Sequence, residues 1–210
     1  MIKIKLYKSL IKCLLSGCFT ITILSNVNAQ LLDSVAFDTV PTYSLTKALK
    51  VEDPMKVYKL SLKKMKLTEL PPEIFQFKNL QSLNIAGNRF KVFPANIVEF
   101  KYLQELNISN NKIEIVTKEL GELIYLKRFI ANQNDIVTIP SEIKHLHKLK
   151  YLDLWGNNIG ILPHEIGELE NSLEEIDMRV ILMSDAEHKV IQGLLPHTKI
   201  RFSKSCSCGF

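Results

Sequence analysis

Two short triplets in this chain carry residue types suited to gripping another molecule. Arg128, Ile130 and Asn132 alternate along the chain, as do Tyr151, Asp153 and Trp155, and the second triplet follows the first by 23 residues. Trp155 is the chain's only tryptophan. Exposed Trp, Tyr and Arg anchor protein interfaces, because each offers a large contact area together with a polar or charged handle. Residue types suited to catalysis are present but not arranged for it. His145-x-His147 lacks the i, i+4 spacing that sets two imidazoles on one helix face for zinc, and His164, His188 and His197 stand apart from it. There is no Gly-rich phosphate loop and no Gly-x-Ser-x-Gly elbow. Glu105, Asp153, Glu175 and Asp177 are expected on an open surface, where no closed pocket would raise a pKa. The expectation is therefore no catalytic residue, no metal and no cofactor.

The 23-residue step between the triplets runs through most of the chain. Val57, Leu80, Leu103, Leu126 and Leu149 are each 23 residues apart, and Leu173 follows after 24. Three residues on stand Leu60, Leu83, Leu106, Phe129, Leu152 and Ile176, and two further on stand Leu62, Ile85, Ile108, Ala131, Leu154 and Met178. Asn88, Asn111, Asn134 and Asn157 fill the next column, replaced by Met65 and Ile181 in the outer units. Pro71, Pro94, Thr117, Pro140 and Pro163 then precede Ile74, Ile97, Leu120, Ile143 and Ile166 by three residues. Within each Leu-x-Leu the apolar side chains alternate and so point to one side of a short strand. No single unit can bury that side, but stacked units make one continuous core. The outer half, with proline fixing φ, reads as an extended or 3₁₀-like arc. Thr117 is expected to loosen its arc, and Ala131 to thin the core of its unit.

The pattern Leu-x-x-Leu-x-Leu-x-x-Asn-x-Ile-x-x-Leu-Pro-x-x-Ile-x-x-Leu-x-x resembles the leucine-rich repeat family in its 23-residue form, over residues 57–202. The resemblance implies an α/β solenoid, a right-handed superhelix with about six parallel strands on its concave face. It also implies a structural ladder formed by Asn88, Asn111, Asn134 and Asn157, whose amides satisfy backbone groups that no strand pairing reaches. The residues between the core leucines then face the concave side. Arg128, Ile130, Asn132, Tyr151, Asp153 and Trp155 come together there as a candidate partner-binding patch.

Both ends read as caps. Residues 44–50 suggest a short helix capped by Ser44. Ser184 and Glu187 form a capping box for a closing helix with Val190, Ile191, Leu194 and Leu195 on its apolar face, followed by a strand at 199–202. The domain reading is thus an N-terminal extension and cap at 30–56, repeats at 57–183, a C-terminal cap at 184–202, and a mobile cysteine-containing tail at 203–210. Residues 30–43 are expected to be loosely ordered. Residues 1–29 are basic to Lys12, apolar from Cys13 to Leu24, and end in small residues at Val27 and Ala29, as a secretory signal peptide does. Leu15-Ser16-Gly17-Cys18 resembles a lipobox, but Lys8 and Lys12 break the apolar stretch before it, and lipid anchoring at Cys18 is disfavoured. Removing the leader leaves Cys206 and Cys208, too few for a disulfide scaffold and only half a tetrahedral metal site.

Charge narrows the choice of partner. The chain carries a formal +5, but four lysines lie in the first twelve residues, and without residues 1–29 there are 23 basic against 22 acidic residues. A near-neutral body does not support a nucleic-acid footprint. The expectation is a non-catalytic, exported binding module that recognises a protein or peptide ligand, with no membrane span in the mature chain. The alternative is a structural or adhesive envelope protein without a specific partner. Asn107-Ile-Ser109 matches a glycosylation acceptor by chance, on a strand rather than a loop.

Overall fold

Leucines that alternate on a strand of three residues leave room for one pleat only, and each unit supplies one. The computed structural model describes residues 31–203; the leader expected at 1–29 and both tail cysteines lie outside them. Six repeat strands stand in register: β2 (Lys59–Ser61), β3 (Ser82–Asn84), β4 (Glu105–Asn107), β5 (Arg128–Ile130), β6 (Tyr151–Asp153) and β7 (Glu175–Met178). β1 (Thr42–Ser44) and β8 (Lys199–Phe202) extend the stack at either end, giving one eight-stranded parallel sheet in sequence order. The six repeat strands and the closing strand expected at 199–202 are all present, and β1 is the one addition. β1 falls outside the repeat register, so periodicity could not reveal it.

The pairing partners reproduce the 23-residue step: Leu60 faces Leu83, then Leu106, Phe129, Leu152 and Ile176. All six side chains are buried, as is the alternate column from Leu62 to Met178. The outer halves form short 3₁₀ helices at Pro72–Gln76, Ala95–Glu99, Lys118–Glu122, Ser141–His145 and His164–Leu169. The arc after Thr117 has the same length as its neighbours, so the missing proline does not loosen it. Leu120, buried in the core, holds that arc in place.

Between strand and arc the chain turns through a left-handed residue in each unit, at Lys64, Gly87, Asn110, Gln133, Gly156 and Val180, with Lys66 a second one in the first unit. The asparagine column begins one residue later in the central units. Asn111 shows the pattern. Its Oδ1 accepts from Phe90 N–H at 3.1 Å, and its Nδ2 donates to Ile85 O at 3.1 Å and Ile108 O at 2.9 Å. Asn134 and Asn157 repeat these contacts one and two units along. Asn88 reaches out to Met65 N–H at 2.9 Å and so serves the unit that lacks its own asparagine.

Residues 31–43 are ordered, which corrects the expectation of a loose extension. Helix α1 (Ser34–Thr39) is capped by Asp33 Oδ1, which accepts from Ala36 N–H at 2.8 Å. Phe37 is buried, with Lys59 Nζ 4.0 Å from its ring centre. Helix α2 (Leu45–Ala48) follows Ser44, but the serine hydroxyl makes no capping bond. The closing helix α3 (Asp185–Leu194) does use its cap, Ser184 Oγ accepting from Glu187 N–H at 3.3 Å. No helix among the described residues is long and apolar enough to cross a membrane.

Candidate functional site

Strand alternation puts three polar columns on the face opposite the leucines. One column runs Lys59, Ser82, Glu105, Arg128, Tyr151, Glu175 and Lys199, and the next runs Ser61, Asn84, Asn107, Ile130, Asp153, Asp177 and Arg201. The third, just past the strands, holds Asn132, Trp155 and Arg179. The six candidate residues therefore form two adjacent rows on β5 and β6.

Arg128 and Tyr151 are direct neighbours across the strand pair, with the guanidinium carbon 4.4 Å from the ring centre. A cation over a ring face gains from the ring's negative quadrupole, and Arg keeps its flat side free to do this. Glu105 approaches the same guanidinium at 3.9 Å from the other side. Arg128 is exposed, while Ile130, Asn132, Tyr151 and Trp155 are partly exposed. Burial, with the negative charges of Asp153, Asp177 and Glu175, raises the Tyr151 phenol above its ordinary value, and Arg128 opposes this. The phenol thus stays protonated and can donate.

Asp153 departs from its expected place. It is buried, at 8% exposure, rather than presented to a partner. Its Oδ1 accepts from Trp155 N–H at 3.2 Å and its Oδ2 accepts from the Asn132 amide. Burial raises its pKa, against the pull of those two hydrogen bonds, so the expectation that no acid here is perturbed is also corrected. Asp177, one strand on, shifts the other way. Burial alone would raise it, but Arg179 grips it through Nε at 2.9 Å and Nη2 at 2.7 Å, and with Arg201 nearby the carboxyl falls below its usual range.

These two acids belong to a second ladder that periodicity did not reveal. Asn84 Oδ1 accepts from Ala86 N–H, Asn107 Oδ1 from Ser109 N–H, Asp153 Oδ1 from Trp155 N–H and Asp177 Oδ1 from Arg179 N–H. Each is an Asx turn that bends the chain off the strand. Asn107 is thereby occupied, and its side chain also accepts from Ser109 Oγ at 2.7 Å. Ile130 is the gap in this column, an apolar side chain between Asn107 and Asp153.

The concave face is not open along its whole length. A cleft of about 400 Å³ lies between α1 and the strands, with Phe37 and Asp38 on one wall and Glu105, Arg128, Tyr151 and Glu175 on the other. Its α1 wall was missed in the sequence, where Phe37 lies ahead of the repeats that begin at Val57. Among the described residues no group of His, Cys, Asp or Glu is placed to hold a metal ion. His145, His147 and His164 are exposed on the outer arcs, whereas His188 stacks on Phe202 at 4.0 Å.

Comparison with known proteins agrees with this geometry. Two family models match, both described as leucine rich repeat, at residues 56–113 and 148–169. A leucine-rich repeat protein of Leptospira interrogans superimposes with a TM-score of 0.62 at 27% identity, over 77% of this chain and 47% of that one. The repeat ectodomain of an Arabidopsis thaliana membrane receptor kinase, solved in complex with Casparian strip integrity factor 2, gives 0.58 at 26% identity, over 70% of this chain and 18% of that one. This chain thus spans about half the length of the bacterial protein and a fifth of the plant ectodomain. No curated protein matches by sequence.

Proposed function

Because the chain is a leucine-rich repeat protein, on a fold typical of protein–protein interaction modules, we propose that it is an exported, non-catalytic binding module that docks a protein or peptide on β5 and β6 of its concave face. The observation that carries this is the pairing of Arg128 with Tyr151, 4.4 Å apart, beside the partly exposed Trp155. Three interface-anchoring side chains share one small patch, on a face that solubility alone would furnish with small polar residues. Asn132 and Asp153 brace the patch from within, Asp153 holding the Trp155 backbone and Asn132 holding Asp153. That bracing fixes the anchors before a partner arrives and lowers the ordering cost of binding. The receptor ectodomain, solved with its partner bound, is the precedent for such use of the fold.

Export rests on the leader-like residues 1–29, and the near-neutral body fits a partner recognised by shape and aromatic contact rather than by polyanionic charge. The test is capture from envelope fractions of the producing cells, comparing the wild type with a Tyr151→Ala, Trp155→Ala double variant. One partner retained by the wild type and lost by the variant is expected. Equal retention removes this patch from the account.

A further inference from the structure

At the rim of the sheet, one residue before each strand, the repeat column reads Gln81, Gln104, Lys127, Lys150 and Glu174. The two glutamines are almost completely buried, at 0% and 2% exposure, although they stand at the edge of the fold. What the described residues place against them is the chain's own N-terminal segment. Gln81 Oε1 accepts from Leu32 N–H at 3.0 Å. Gln104 Nε2 donates to Leu32 O at 3.2 Å and to Gln81 Oε1 at 2.6 Å. Both backbone groups of one residue are thus held by two side chains from successive units, as a neighbouring strand would hold them. Five residues on, Phe37 supplies the segment's one buried side chain within α1, beneath Lys59.

We propose that Gln81 and Gln104 form a binding site for an extended peptide with an aromatic residue about five positions after the clamped one, and that residues 31–40 are its resident, displaceable ligand. The segment is lightly anchored. Its helix has six residues, too short to stand alone in water, and Val35 is 74% exposed. Such a segment opens locally without unfolding the stack. Opening strips two buried amides of the backbone partner they hold, and a peptide of the same form restores it. The units that follow carry Lys127, Lys150 and Glu174 in this column, so the clamp is confined to the second and third units. Gln104 and Phe37 line the same cleft as Arg128 and Tyr151, whereas Trp155 lies outside that lining, and the clamp does not depend on a partner docking at Trp155.

The experiment uses the full chain and a synthetic peptide of residues 31–41. In Phe37→Ala protein the Leu32 amide exchanges at least about tenfold faster than in the wild type, while the Leu106 and Phe129 amides keep their rates and report an intact sheet. The peptide binds that variant at least about tenfold more tightly than the wild type, because the resident competitor is weakened. Adding Gln104→Leu removes the binding, and Gln104→Glu, which also lacks the Nε2 donor, does the same if the leucine variant loses strand protection. Trp155→Ala leaves peptide binding unchanged. An unaltered Leu32 exchange rate in Phe37→Ala overturns the proposal. So does equal peptide affinity for wild type and variant, no binding to a variant whose Leu32 amide has been freed, or binding that survives both Gln104 substitutions.

Discussion

Trp155 donates its backbone N–H to the Asp153 carboxylate at 3.2 Å, two residues back along the same chain. The acid that alternation places on the binding face is therefore a brace for that face. It sets the turn from which the indole projects, and its other oxygen accepts from Asn132 in the neighbouring unit. The anchor and its support lie in adjacent columns and have separable roles, so substitutions should separate them.

Truncating the anchors should weaken binding without unfolding the chain. Tyr151 and Trp155 are partly exposed and outside the leucine core. Tyr151→Ala with Trp155→Ala is expected to change unfolding free energy by no more than about 1 kcal/mol. It should cost partner affinity about 2 kcal/mol or more. Thermal unfolding and titration of the captured partner check the two halves separately.

Asp153 and Asp177 should respond to pH with opposite signs. Asp153 has its folded pKa raised by burial, so its contribution falls as pH rises from about the ordinary value of 3.8 through the raised folded value. Asp177 has its folded pKa lowered, because Arg179 and Arg201 outweigh burial, so its contribution is present above 3.8 and is lost as pH falls through the lower folded value. At neutral pH Asp177→Asn should lower the denaturant midpoint. Asp153→Asn, which keeps the acceptor for Trp155 N–H and pairs with Asn132 once that amide turns its oxygen to the new NH2, should hold or raise it. Midpoints measured from pH 7 down through the carboxylate range test both signs.

The asparagine ladder should be costly to cut at its centre. Asn134 donates to Ile108 O and Ala131 O and accepts from Ile113 N–H, all buried. Asn134→Ala orphans backbone groups in two successive units and is expected to cost about 2–4 kcal/mol. Equilibrium denaturation measures it, and Asn158→Ala, on an exposed neighbour in the next unit, serves as the control.

Two glycines should answer alanine oppositely. A Cβ on Gly121 would sit 2.6 Å from Glu142 O of the next arc, and backbone cannot withdraw cheaply, so Gly121→Ala should cost about 1–3 kcal/mol. Gly193, in α3, has nothing within 4 Å of that position, and Gly193→Ala should stabilise by about 0.5–1 kcal/mol. Thermal unfolding distinguishes the two directly.

The repeat core was legible because the same spacing recurs unit after unit, so one register places Leu60, Leu83, Leu106, Phe129, Leu152 and Ile176 together. Residues with no counterpart one unit away were not. Thr42–Ser44 joins the sheet through pairing with β2, which no local pattern reveals. Phe37 is buried by a fold-back across the sheet rather than by an apolar face of its own helix, although Asp33 does carry a legible cap signal for α1. Alternation also gave the correct side for Asp153 and the wrong exposure. Strand period decides which face a residue takes, while the Asx turn that buries this carboxylate depends on the backbone two residues later. The same reason hid the shared role of Asn84, Asn107 and Asp177.

Docking of a partner on β5 and β6 can be read by a photoreactive phenylalanine analogue placed at Trp155 in the full chain and illuminated in the producing cells. One discrete crosslinked protein is expected from position 155 and none from the same probe at Val92, which is exposed on the separate ladder with Ile115. No crosslink from 155, or the same products from both positions, would contradict it.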